Sequence, residues 1–185
     1  MEADLVLIDV GPNLGAINRA ALLGADKVLL QLGADLFSLK SLGNLGLTLR
    51  HWRRGWQQDI LPGVPHDISA PSGAMEPLGY VITRPETRLD RPADAYKRWL
   101  EHIPEVYARS VLDEPPPVPG EDRHCIATLR SYHSLRLLAQ DARKPMFDLK
   151  AADGALGSMQ KYVQVCYKEF RSLAEDVAKR AGVAD

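Results

Sequence analysis

The chain opens on an unbroken aliphatic run, Leu5-Val6-Leu7-Ile8, set between Asp4 and Asp9 and followed by Val10-Gly11-Pro12. Apolar character at every position, rather than at every second one, suits a strand buried on both faces in a parallel sheet. It predicts a strand over 4–10 with Asp9 at its carboxyl end, the edge where open α/β sheets bind ligands. Asn13 to Leu22 then reads as a helix closed near Gly24, with Asn13 placed to cap it. Ala25 to Leu32 is a second buried strand, 33–35 a turn, and Leu36 opens a helix reaching about Ile60, with Gly43 to Gly46 as a candidate break. Residues 61–77 are rich in Pro, Gly and Ser and read as an irregular surface loop. Leu78 to Thr83 is a third strand and 84–92 a polar loop. A long amphipathic helix begins at Ala93, with Pro104 as the point where it kinks or restarts. Residues 113–122 carry Pro115-Pro116-Pro117 and Pro119 and form a stiff, extended connector. His124 to Leu129 is a fourth strand, His133 to Ala142 a short helix, and Gly154 to Ala181 the closing helix.

Strands and helices alternate across short loops, the rhythm of right-handed crossovers. The expected class is α/β, a mainly parallel sheet flanked by helices, with 1–185 as one domain and 113–122 a connector within it. Composition agrees: 45% hydrophobic and 25% charged residues are ordinary for a globular chain. The net charge of −1 argues against a globally basic nucleic-acid binder and leaves room for a local patch. Cys125 and Cys166 are too far apart for a zinc pattern and suggest no disulfide framework, so a reduced cytoplasm is the expected setting. No apolar run approaches membrane-span length, and the charged tail from Phe170 to Asp185 argues against membrane binding.

A carboxylate at a strand end, next to a turn that frees backbone N–H groups, is what a Mg²⁺–nucleotide site asks of such a strand. Asp9 also reads as a helix cap or a solvated strand end, and Gly11-Pro12 as a plain tight turn. Arg50, His51, Arg53 and Arg54 form a basic run interleaved with Trp52 and Trp56. Spaced one helical turn apart, the arginines and tryptophans give either a phosphate-neutralising face or a solvated face opposite a packing face. His124 and His133 have no partner at metal spacing, and no G-x-S-x-G elbow is present, which leaves hydrolase and metalloenzyme readings without support.

The order LVLIDVGPNLGAINRAALLGADKVLLQLGADLFSLKSLGNL, from Leu5 to Leu45, closely resembles the ParA/MinD family of deviant P-loop ATPases from the Walker B strand onward. The likeness extends more weakly to the C-terminus. It implies a P-loop NTPase-like fold in which Asp9 belongs to the Mg²⁺ shell and catalytic apparatus, and Gly11 and Pro12 to the switch II turn. It also implies that Thr83 and Arg84, then Pro145 and Met146, lie near the nucleotide base, although Thr83 stands where relatives carry an Asn. Arg50, Arg53 and Arg54 would contact DNA non-specifically. ATP and Mg²⁺ are the cofactors of the intact family, and its partners are a second copy in an ATP-closed dimer and a ParB-like or cargo protein. No match to the glycine-rich loop G-x-x-x-x-G-K-[ST] occurs. The expectation is therefore a ParA-like chain lacking the N-terminal P-loop strand, as a fragment, through a start assigned at an internal Met, or by natural truncation. Such a chain binds neither cofactor by itself. The alternative is a catalytically inactive interaction or dimerisation module.

Overall fold

The computed structural model describes residues 3–11, 13–83 and 93–183. In chain order the elements are α1 (Ala16–Gly24), β1 (Lys27–Gly33), α2 (Leu36–Gly55), β2 (Glu76–Thr83), α3 (Ala93–Tyr107), β3 (Cys125–Leu129), α4 (His133–Ala142) and α5 (Ser158–Ala181). Short π-helical turns extend α2 to Ile60 and α3 to Leu112. The strands form one parallel sheet in the order β1-β2-β3, so the class is α/β with a parallel sheet flanked by helices.

The main core lies on one face of that sheet. Val28, Leu30 and Leu32 of β1 and Tyr80 and Ile82 of β2 meet Leu42, Leu49 and Trp52 of α2 and Ile103 and Tyr107 of α3. A second cluster joins α4 to α5 through Leu135, Leu149, Val163 and Cys166. β2 is the central strand, and Gly79 to Ile82 are buried on both faces. β1 alternates instead, with Leu29 and Gln31 exposed between buried neighbours. The expectation of two buried faces fails there because, among the described residues, no helix covers that side of the edge strand. Between β1 and β2 the register steps by one residue, from Val28↔Pro77 to Leu29↔Gly79. Gly79 has φ +138°, and a side chain there would press on the His124 carbonyl across the β2–β3 ladder.

The largest departure is at the start. Residues 5–11 form no strand, and Leu5, Val6, Leu7 and Ile8 are 40%, 70%, 79% and 55% exposed. A strand exists only within a ladder, and among the described residues none pairs with this run. The helix after it begins at Ala16 rather than Leu14, and Asn13 accepts from the Gly15 amide at 3.0 Å instead of capping the first turn. α2 runs unbroken through Gly43 to Gly46, and of the two glycines Gly46 lies in close contact with the chain after α3. Pro104 sits inside an unbroken α3. The closing helix starts at Ser158, after a 3₁₀ turn at Ala151–Asp153.

Candidate functional site at the carboxyl edge of the sheet

The register brings Gly33, Thr83 and Leu129 side by side at the carboxyl edge. The turn from β1 into α2 is closed by its own side chains. Asp35 accepts from the Ser38 amide at 2.8 Å and from the Ser38 hydroxyl at 2.9 Å, while that hydroxyl accepts from the Gly33 amide at 3.1 Å. A Cβ at Gly33 would stand 2.4 Å from the Asp35 carboxylate, so the turn closes this tightly only on glycine. Asp35 thereby occupies the helix N-terminus that an anion would otherwise use. Gln31 donates to the Thr83 hydroxyl at 3.1 Å, joining β1 to β2 at the same edge.

A groove of about 840 Å³ opens beside β1, with Asp9 and Gly11 on one wall and Gln31, Ser38 and Ser41 on the other. The lining between them is mostly aliphatic, including Leu14, Leu29 and Leu45. The wall that carries Asp9 is tied down by Asn18 of α1, whose amide donates to the Gly11 carbonyl at 2.9 Å and to the Asn13 carbonyl at 2.8 Å. Asn18, Gln31 and Ser38 were not singled out by the pattern of the chain. The polar interruption in Val28-Leu29-Leu30-Gln31-Leu32 was the one available signal, since an amide in an aliphatic strand asks for a partner.

Asp9 is exposed and faces this groove alone. Among the described residues no three His, Cys, Asp or Glu side chains gather where a metal ion could be held. Mg²⁺ is held by an octahedron of oxygens, built from carboxylates, phosphates and water. One carboxylate does not make that site. Thr83 is engaged with Gln31, and Pro12 and Arg84 lie outside the described residues. Pro145 precedes the 3₁₀ turn at Met146–Asp148, and Met146 packs on the α4–α5 cluster. The groove's lining includes neither of these two.

The basic run is split by its own contacts. Arg50 forms an ion pair with Asp113 and donates to the Arg109 carbonyl at 3.3 Å. Arg53 donates to the Met75 carbonyl, and its Nε is buried without a hydrogen-bond partner. Burial, more than the neighbouring Arg50, pulls the Arg53 guanidinium below its ordinary pKa, against the pull of Glu76. Arg54 alone of the three is fully on the surface. The tryptophans face the other way: Trp52 is in the core, and Trp56 donates to the Pro71 carbonyl at 2.8 Å.

The opposite edge of the sheet holds a second cluster. The Tyr80 hydroxyl bonds Asp122, whose other oxygen accepts from the His124 amide at 3.0 Å. Tyr107 packs between Tyr80 and His124 with its ring tilted to both, at 4.9 and 5.3 Å between ring centres. Burial pushes the Tyr107 phenol up to about 12. This cluster shapes the entry into β3 and lies at the amino end of the strands, away from the groove at Asp9.

Among the described residues no helix is long and apolar enough to cross a membrane. No protein-family model, no curated protein and no solved structure matches this chain.

Proposed function

We infer that this chain is the part of a ParA-like ATPase that runs from the Walker B segment onward. One observation carries the reading. Asp9 and Gly11 face β1, an edge strand of the parallel sheet among the described residues, across an aliphatic groove lined by that strand from Val28 to Leu32. In the resembled fold, the strand that leads into the phosphate-binding loop lies beside the Walker B strand, inside the sheet. A groove between the Asp9 segment and β1 is the place such a strand would fill. With it in place, phosphates would be held by backbone amides and a lysine of the loop, and Asp9 would contribute to the Mg²⁺ shell. The intact protein would then cycle between an ATP-closed dimer and open monomers. It would work in the cytoplasm, on nucleoid DNA and with a ParB-like or cargo partner, to position plasmids, chromosomes or protein cargo.

A second reading is favoured by the solitary Asp9 and by the lack of any G-x-x-x-x-G-K-[ST] sequence. Under it, the 185-residue chain acts without catalysis, as an interaction or dimerisation module. The DNA just upstream of the Met1 codon separates the two. An in-frame glycine-rich loop with lysines supports the ATPase. In the protein extended through that loop, Asp9→Ala is expected to abolish Mg²⁺-dependent ATP hydrolysis while leaving the circular dichroism spectrum unchanged. Wild-type turnover in that variant would remove Asp9 from the apparatus. The 185-residue chain alone is expected to hydrolyse ATP no faster than background.

A further inference from the structure

Val28, Leu30 and Leu32 point to one face of β1, while Leu29 and Gln31 point to the other. All five line the groove. A cavity touched by both faces of a strand passes over its edge, and on the Gln31 side this one continues across Val81 and Leu129 to Phe170 and Leu173 of α5. β1 pairs only with β2, so among the described residues the backbone N–H and C=O groups on its outer side have no ladder. The strand, Lys27-Val28-Leu29-Leu30-Gln31-Leu32-Gly33, carries little of what usually blunts an edge beyond the register step at Val28/Leu29. It has no proline, and its one charge, Lys27, is tied to Glu76 at 2.7 Å. Such an edge is a template for strand addition.

The complementary half is on the same chain. The run from Leu5 to Ile8 is aliphatic at every position, largely exposed, and without a ladder of its own. Short, uncharged, aliphatic segments with free backbone groups are the ones that pair. Phe37, which also lines the groove, is 80% exposed.

We propose that two copies of this chain associate by exchanging strands: the Leu5–Ile8 run of each adds to the free β1 edge of the other. An acceptor edge and a donor run on one chain make the contact self-complementary, so a two-fold dimer satisfies both and the assembly closes. Gly11 gives the backbone freedom for the run to leave its own wall of the groove. The proposal concerns the 185-residue chain, whose β1 edge is unpaired among the described residues; in an ATPase extended through the loop strand, that strand would take the same edge and the exchange would not occur.

Sedimentation velocity on the full 185-residue chain tests it, together with directed cross-linking. The expected result is a dimer that Leu7→Lys weakens at least about tenfold. Leu7 is so exposed that its replacement leaves the monomer fold intact, and an unchanged circular dichroism spectrum checks this. Mixing Leu7→Cys chains with Leu29→Cys chains under mild oxidation should give a disulfide-linked dimer, because mid-run meets mid-edge in either strand direction. Leu7→Cys with Leu47→Cys, an exposed α2 position outside the groove, should give none. A monomer at all concentrations overturns the proposal. So does a dimer indifferent to Leu7→Lys, or equal cross-linking at 29 and 47.

Discussion

Gly46 of α2 lies against the backbone of Ser110: a Cβ built at position 46 would stand 2.7 Å from the Ser110 carbonyl carbon and 2.8 Å from its oxygen. Three residues earlier, Gly43 faces the same turn with nothing closer than 3.8 Å. The two glycines read alike in the chain and differ in what they permit. Gly46 sets how closely α2 approaches the chain after α3, and that approach buries Val111 and Leu49 in the core.

The pair gives a prediction of opposite sign. Gly43→Ala should stabilise the protein by about 0.5–1 kcal/mol, the helix-propensity gain of alanine with ordinary van der Waals contact. Gly46→Ala has the same propensity gain, but its methyl group meets backbone that cannot move aside, and it should destabilise by roughly 1–3 kcal/mol. Urea midpoints of the two variants against the parent check this. Equal shifts would mean that the α2 contact yields without cost.

Arg53 and Arg54 should also separate. Arg53→Ala removes the donor to the Met75 carbonyl and is expected to cost roughly 1–3 kcal/mol. Arg54→Ala should fall within about 0.5 kcal/mol of the parent. Arg54 is therefore the clean probe for DNA. If the run contacts phosphates, Arg54→Ala weakens binding for all sequences and lowers the salt slope by about one. A loss of DNA binding in Arg53→Ala alone would report a damaged fold rather than a lost contact.

His124 makes stability depend on pH. Burial, then the neighbouring Arg123, lowers its pKa below the ordinary value, while Asp122 and Glu114 pull the other way. A histidine depressed in the folded state binds its proton more tightly when unfolded. Its contribution is thus complete above about pH 6.5 and is lost as pH falls from there through the depressed value. Between about pH 7.5 and about pH 5, above the range of ordinary carboxylates, the parent should lose stability that His124→Gln retains. Parallel curves for the two proteins would show that His124 titrates as it does unfolded.

Much of the local architecture was written in short-range patterns. β1, β2, β3, α4 and the long α2 fall close to where hydrophobic spacing and turn residues place them, because periodicity and capping act within a few residues. The parallel sheet follows from strands alternating with helices, since a parallel neighbour requires a crossover. What the spacing did not decide were properties that belong to two segments at once. The Leu5–Ile8 run has the composition of a doubly buried strand, yet it lies exposed because burial and a ladder need partners that no pattern within the run supplies. Arg50 and Arg53 read as one basic face, but Asp113, Arg109 and Met75 claim them from other parts of the chain. Gly46 read as a helix breaker and proved to be a contact point, because helix spacing is set by the backbone that approaches from outside. The groove at Asp9 exists for the same reason: it is the space between a turn held by Asn18 and a sheet edge, and only the folding of both defines it.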